Sequence, residues 1–237
     1  MNNVNSSNQL SMPARVTLIS EQSSERTPIQ EFIHTVYAKQ FAADIHQFMP
    51  LLMGLQSSTG SYQAALGLRL ATDGPLFLEQ YFDQAIEDRI SEATDYSANE
   101  ITRASIVEVG NLAAHHAGGT RMLIIALTAY LQGAGYDWVA FTSIVSLRNS
   151  FHKLGLKLYS LGHAELHRLP ETEHKHWGRY YEKRPMVMLV NVHHTYGVLE
   201  RLLRFEQALA TLRHIWQQSF EFGHATQLHG QHLSTSS

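Results

Sequence analysis

The sequence predicts an α+β domain on a mixed sheet, and three observations carry that prediction. Stretches of period-two apolar spacing alternate with stretches of helical spacing along the chain. Residues 51–56 and 62–71 are apolar runs joined by turn chemistry at 57–61, which reads as an antiparallel hairpin. Residues 101–143 read as strand, glycine-bearing loop, apolar helix and strand, a crossover added to otherwise antiparallel pairing.

Each element follows from its own pattern. Residues 15–20 form a short strand, and Pro28 opens a helix over 29–45 with Phe32, Ile33, Val36, Tyr37 and Phe41 on one face. In the hairpin, Ala64, Leu66 and Leu68 share one face and Ala65, Gly67 and Arg69 the other. A short helix lies within 75–90, and a polar connection at 91–100 leads to a strand centred on SIVEVGNLA. The loop HHAGGT then opens an apolar helix over 121–131 that stops at Gly133 and Gly135, and a strand follows at 138–143. A helix over 145–154, a strand over 156–161, a charged His-rich segment, a buried strand over 184–192 and one long amphipathic helix over 196–220 complete the order.

Composition narrows the function. A net charge of −3 with 16% charged residues lacks the basic footprint that nucleic acid demands. With no Cys, thiolate nucleophiles, thiolate-bound zinc and disulfides are excluded. The polar start lacks a signal-like apolar region, and the longest apolar stretches, 49–55 and 122–131, are too short for a spanning helix. The expected address is the cytoplasm. Residues 1–12 and 223–237 are polar and aperiodic and are expected to be disordered tails around one domain at 13–222.

SIVEVGNLAA, PLFLEQYF, WVAFTS, FHKLGLK and WGRYYEKRP together resemble the thermostable hemolysin family over roughly 15–192. The element order is also similar to the GNAT acyltransferases, and FHKLGLK resembles their Tyr-x-Lys-x-Gly-Phe signature. GLRLATDGPLFL and IVEVGNLAA are similar to stretches of acyl-homoserine-lactone synthases. The resemblance implies a GNAT-like, mostly antiparallel sheet with one splayed strand flanked by helices. It implies acyl transfer from acyl-CoA, or from the phosphopantetheine of acyl carrier protein, to a small amine.

The site residues follow from both lines of reasoning. Backbone N–H groups at a helix start suit a phosphate, so His115, Gly118, Gly119, Thr120 and Arg121 are expected at the donor. They match the superfamily's loop only in part, with His115 in place of Gln or Arg and Thr120 in place of Gly or Ala. Glu108 stands in an apolar strand, either as one half of an ion pair with Arg69 or Arg103 or as a general base. The lactone-synthase likeness implies the base. Asn111, Leu112 and Ala113 would offer their backbone where the strand splays, as donor contacts and oxyanion stabilisers. Phe151 departs from the signature's Tyr, so the thiolate leaves unaided or Ser143, Ser146 or Tyr159 supplies a proton.

Fifteen histidines form no metal motif: His163 and His167, His174 and His176, and His193 and His194 are pairs without a partnering carboxylate pattern, so no metal is expected. Trp177, Tyr180 and Tyr181 read as packing or as the wall of an acyl or amine pocket. The stripe Val198, Leu199, Leu202, Leu203, Phe205, Leu209, Leu212, Ile215 and Trp216 fits packing on the sheet or on a second copy. The alternative function is membrane lysis by such amphipathic helices without catalysis.

Overall fold

The computed structural model describes residues 15–206 and 212–234. Strand β1 (Arg15–Ile19) leads to α1 (Arg26–Phe41), which buries Ile29, Ile33, Val36, Tyr37 and Phe41 at helical spacing. It stops where Ala42 turns left-handed at φ 52°. The hairpin β2 (Leu51–Gln56) and β3 (Tyr62–Leu70) follows a loop. A run of 3-10 turns and α2 (Ile86–Ala93) fills the stretch before β4 (Ile106–Ala114). Then come α3 (Ala117–Gly133), β5 (Trp138–Ser143), α4 (Val145–Lys153), β6 (Tyr159–His163) and α5 (Glu171–His174). β7 (Met186–Asn191), α6 (Val192–Phe205) and α7 (Arg213–Ser234) follow.

The seven strands form one sheet in the order β1-β2-β3-β4-β5-β7-β6, antiparallel everywhere except at β4–β5. Alternation of side chains divides the core. Leu66, Leu68, Val107, Val109, Val139 and Phe141 pack beneath α3, α6 and α7. On the opposite face α1 covers Leu52, Ala65 and Ala113, while α2 and its flanking turns cover Ile106, Trp138, Ala140 and Leu189.

The C-terminal region departs from expectation. The single helix expected over 196–220 is two helices, because α6 ends at Glu206 in extended backbone after burying Leu199 and Leu203. α7 then restarts and buries Ile215 and Trp216 beside α3, with Leu212 just before it. It runs through the stretch expected as a tail: Gly223 lies against the backbone of Tyr130 and Ala134, and residues 224–228, still helical, are exposed. A glycine contact carries no hydrophobic signal, so periodicity could not show it. The expected tail at 1–12 and the stripe's Leu209 lie outside the described residues. Most of the remaining stripe is spent on the core, although Phe205 stays 77% exposed. Among the described residues no helix is long and apolar enough to cross a membrane.

Candidate active site

The sheet opens at its centre. β4 and β5 pair in parallel only over 106–109 and 138–141, and beyond that the two strands part. At the same point β4 bulges: Gly67 faces Gly110 and Ala65 faces Ala113, so Asn111 and Leu112 stand opposite Leu66 alone. Asn111 adopts φ 51°, and its side chain holds the bulge by accepting from the Met49 N–H at 2.9 Å and donating to the Gln47 carbonyl at 3.1 Å. The splayed strand expected from the family resemblance is present.

Two cavities meet in this gap. One threads the sheet between Glu108, Met49 and Trp177 on one side and Ile124 and Leu127 of α3 on the other. The second sits at the start of α3, walled by His115, His116, Ala117, Thr120, Ser146 and Ser150. Tyr37, Leu112, Thr142, Leu147 and Tyr180 wall both.

Glu108 is 2% exposed and pairs with Ala140, one pair before the strands part. Its Oε2 accepts from the Phe77 N–H at 2.8 Å and its Oε1 from the Leu78 N–H at 2.9 Å. Arg69 approaches Oε2 at 4.0 Å, whereas Arg103 is taken by Glu79 and Glu87. Burial pushes the Glu108 carboxyl above the ordinary Glu range, against the two amides and Arg69, which favour the charged form. Each oxygen keeps a further lone pair, so the group can still take a proton or hold an ammonium. By strand alternation Glu108 shares its face with Ile106, opposite Val107 and Val109. The space beside Gly110 is filled: a Cβ there would lie 2.5 Å from Met49 Cε.

Around Glu108 stands an aromatic box that composition alone did not assemble. Phe77, Tyr81, Trp177, Tyr180 and Tyr181 line the same cavity, and the Tyr81 and Tyr181 hydroxyls hydrogen-bond at 2.5 Å. Burial raises both phenols, Tyr181 to about 12 and Tyr81 further, so both stay neutral. The indole N–H of Trp177 is buried without an acceptor among the described residues. WGRYYEKRP supplied three of the five residues; Phe77 and Tyr81 come from PLFLEQYF, about a hundred positions earlier, and no local pattern links the two.

The donor side needs correction in detail. The helix expected to begin at Arg121 begins at Ala117, so Gly118, Gly119 and Thr120 form its first turn rather than a preceding loop. His116 is the cap: its Nδ1 accepts from the Gly119 N–H at 3.0 Å. Gly119 is a packing position, since a Cβ there would lie 3.4 Å from the Gln63 carbonyl and 3.5 Å from Ala114 Cβ. Arg121 is half-buried on α3 and walls neither cavity. Ala113 is 1% exposed beneath α1, which leaves only its backbone for a site role.

Phe151 stacks on Phe141 with ring centroids 5.0 Å apart and walls the Glu108 cavity. Of the expected hydroxyls, Ser143 is fully buried and donates to the Met186 carbonyl at 3.4 Å, and Tyr159 packs on Trp138 outside both cavities. Ser146 does line the α3 cavity, with Thr142 and Ser150, which sequence reasoning had not singled out. The expected histidine pairs also take separate roles: His193 bonds Gln132 and Asp137, and His174 bonds the Leu169 carbonyl. A different group, Asp44, His46 and His176, converges beside residues that line the Glu108 cavity, and no spacing in the sequence pointed to it.

A mostly antiparallel sheet parted at one parallel pair, with a helix start and a cavity in the gap, defines a GNAT-like fold. Within that class the thermostable hemolysin profile matches residues 19–196, and the chain belongs to the thermostable hemolysin family. Solved structures share the fold at low identity. The apo form of TofI superposes with a TM-score of 0.54 at 13% identity, covering 78% of this chain and 95% of that one. BjaI, a CoA-dependent acyl-homoserine lactone synthase with SAM and isopentyl-CoA, gives 0.52 at 12%, covering 84% and 98%. FeeM, an N-acyl amino acid synthase from uncultured soil microbes, gives 0.50 at 14%, covering 76% and 92%. No curated protein matches the sequence.

Proposed function

We propose that this protein is an N-acyltransferase that moves an acyl group from a thioester, acyl-CoA or acyl carrier protein, to a small amine. The observation that carries the reading is the gap between β4 and β5, with a helix start in one cavity and a buried carboxylate in the adjoining one. The donor's phosphate-bearing arm lies against the amides of Ala117 and Gly118, which precede the first intrahelical bond of α3. Its acyl chain follows the apolar wall of Leu112, Leu147, Phe141 and Phe151. Fold likeness to BjaI and FeeM, whose names describe acyl transfer, supports the assignment.

The acceptor amine occupies the aromatic box, where ring faces and Glu108 favour a cation. Glu108 takes its proton, directly or through water, and the free amine attacks the thioester carbonyl. A backbone N–H at 111–113, on the side where β4 has no strand partner, meets the developing oxyanion. The C–S bond then breaks, leaving an amide and a thiol. With Phe151 unable to donate, the thiolate leaves unaided or takes a proton relayed from the Ser146 side of the gap. The unpaired indole of Trp177 favours an acceptor that also carries a carbonyl or carboxylate oxygen.

The test is product mass spectrometry on purified protein with a matrix of acyl thioesters and small amines, run beside liposome leakage. An acyl amide formed with stoichiometric thiol supports the reading. Leakage at low concentration with no acylated product across the matrix overturns it in favour of direct lysis. Lys153 ends α4 and Lys157 follows it, both exposed, and their reversal to Glu separates the donors: it slows turnover of the acidic carrier protein and spares acyl-CoA.

A further inference from the structure

We propose that Asp44, His46 and His176 bind a zinc-type divalent metal ion that staples together the two segments rimming the aromatic cavity. One ligand atom from each of the three side chains lies within 4.8 Å of the others. Two neutral imidazoles and a carboxylate are a donor set that zinc, nickel and copper accept, and three protein ligands leave a fourth position for water. Asp44 Oδ2 is already 2.9 Å from His46 Nε2, while the His46 and His176 rings stand edge to face with centroids 5.6 Å apart. Donors about 2.0–2.2 Å from one ion stand closer together than 4.8 Å, so binding draws these side chains inward by rotation.

The backbone beneath the cluster is held firmly. The Asp44 N–H donates to the His176 carbonyl at 2.8 Å, and the Arg179 N–H donates to the Phe41 carbonyl at 2.7 Å. The two segments therefore stay in register without metal, and the ligands are presented from a fixed frame. His34 of α1 reaches Asp44 Oδ1 at 3.0 Å and orients the carboxylate, as partners of metal ligands do elsewhere. All three ligands are reached from solvent: Asp44 and His46 are exposed and His176 is half-exposed.

Position gives the cluster a consequence. Gln47, Phe48 and Met49 follow His46, Trp177 follows His176, and all four line the Glu108 cavity. An ion at the rim would tie the loop after α1 to the segment after α5 and restrict the walls that flank the acceptor. The metal site itself does not depend on the acyltransferase reading.

Zinc alone is the probe. The full chain is titrated against a chromophoric chelator, beside the double variant His46→Gln/His176→Gln and the control His163→Gln/His167→Gln. The expected result is one tight site in the wild type and the control, weakened in the double variant by more than the about 10–100-fold that loss of an outer partner costs. His34→Gln should fall inside that range. Hydrogen exchange with and without zinc should show added protection confined to 42–49 and 174–179. Identical titration of wild type and double variant overturns the site, and zinc bound there without added protection overturns the staple. Acylation is not a readout, so failure of the proposed reaction leaves this test intact.

Discussion

The two cavities that meet at the parted strands share part of their walls but offer different chemistry. The one at the start of α3 centres on His115, His116, Ala117 and Thr120, where backbone amides at the helix start face a ligand, and it is closed by Tyr37, Thr142, Ser146 and Ser150 from elsewhere in the chain. The one around Glu108 draws on residues 37–49, 66–81, 108–112, 124–128, 139–151, 177–181 and 190, and its chemistry belongs to side chains. The first opens beside the helix start, where the bulky end of the proposed donor is placed, and leaves the slot at Glu108 to the reacting groups. Under the proposed function, the donor's contacts at the helix start can stay the same while the slot changes its acceptor.

The sharpest break of that comparison is at Glu108. With Glu108→Gln, turnover should fall by about 10²–10⁴, with donor affinity unchanged because the α3 cavity is untouched. The substitution is not silent structurally. Both carboxylate oxygens accept backbone N–H groups, so the amide nitrogen of Gln would face one of those donors. Losing that bond costs about 1–3 kcal/mol in unfolding free energy. Normal kcat in the folded fraction would make Glu108 a clamp on residues 77–78 and remove it from the chemistry.

Glycines then test how each cavity is held. Gly178 has φ +50° and lies against the carbonyls of Phe41 and Ala42, so Gly178→Ala meets both strain and backbone. Destabilisation of about 2–3 kcal/mol is expected in urea unfolding. On the donor side, a Cβ at Gly118 would lie 2.9 Å from His116 Nδ1 and displace the helix cap. Gly118→Ala should cost about 1 kcal/mol while weakening thioester binding. If Gly118→Ala left donor affinity unchanged, the α3 start would be only a capped helix.

The same contrast explains what could be read from the sequence. The hairpin and the crossover were legible because each is written in local spacing, as in SIVEVGNLAA and WVAFTS, whereas the splayed strand was implied only by the family resemblance. Glu108 stood out because a carboxylate among Ile106, Val107 and Val109 breaks an apolar strand. The start of α3 was misplaced by four residues because Gly118 and Gly119 read as loop, whereas a His116 cap and burial against β3 keep them helical. Met49, Phe77 and Tyr81 were invisible as site residues: each looks like ordinary core, and only the sheet brings them together. The cluster of Asp44, His46 and His176 escaped for the same reason, since its ligands lie on two segments far apart in the chain.

The smallest expected effect is in the pH dependence of stability, and it isolates the electrostatics of the slot at Glu108. Burial raises the Glu108 carboxyl, so the folded protein holds this proton more firmly than the unfolded chain, whose Glu titrates near about 4.3. Unfolding then releases a proton, and the contribution of Glu108 to stability falls as pH rises from that value through its folded pKa. Glu79 has the opposite slope: burial pushes its carboxyl up, but hydrogen bonds from Arg103 and the Leu76 N–H prevail and lower it, so its contribution is lost as pH falls. Raw profiles therefore mix the two. Glu79 is common to wild type and Glu108→Gln, so the difference between their unfolding free energies, measured in urea between about pH 4 and 7, removes all of it but its repulsion with Glu108, which also raises the Glu108 carboxyl. That difference should decline with pH. A difference that rises instead would mean that the Phe77 and Leu78 amides and Arg69 outweigh burial, which makes Glu108 a stabilised anion too weakly basic to take a proton from the acceptor.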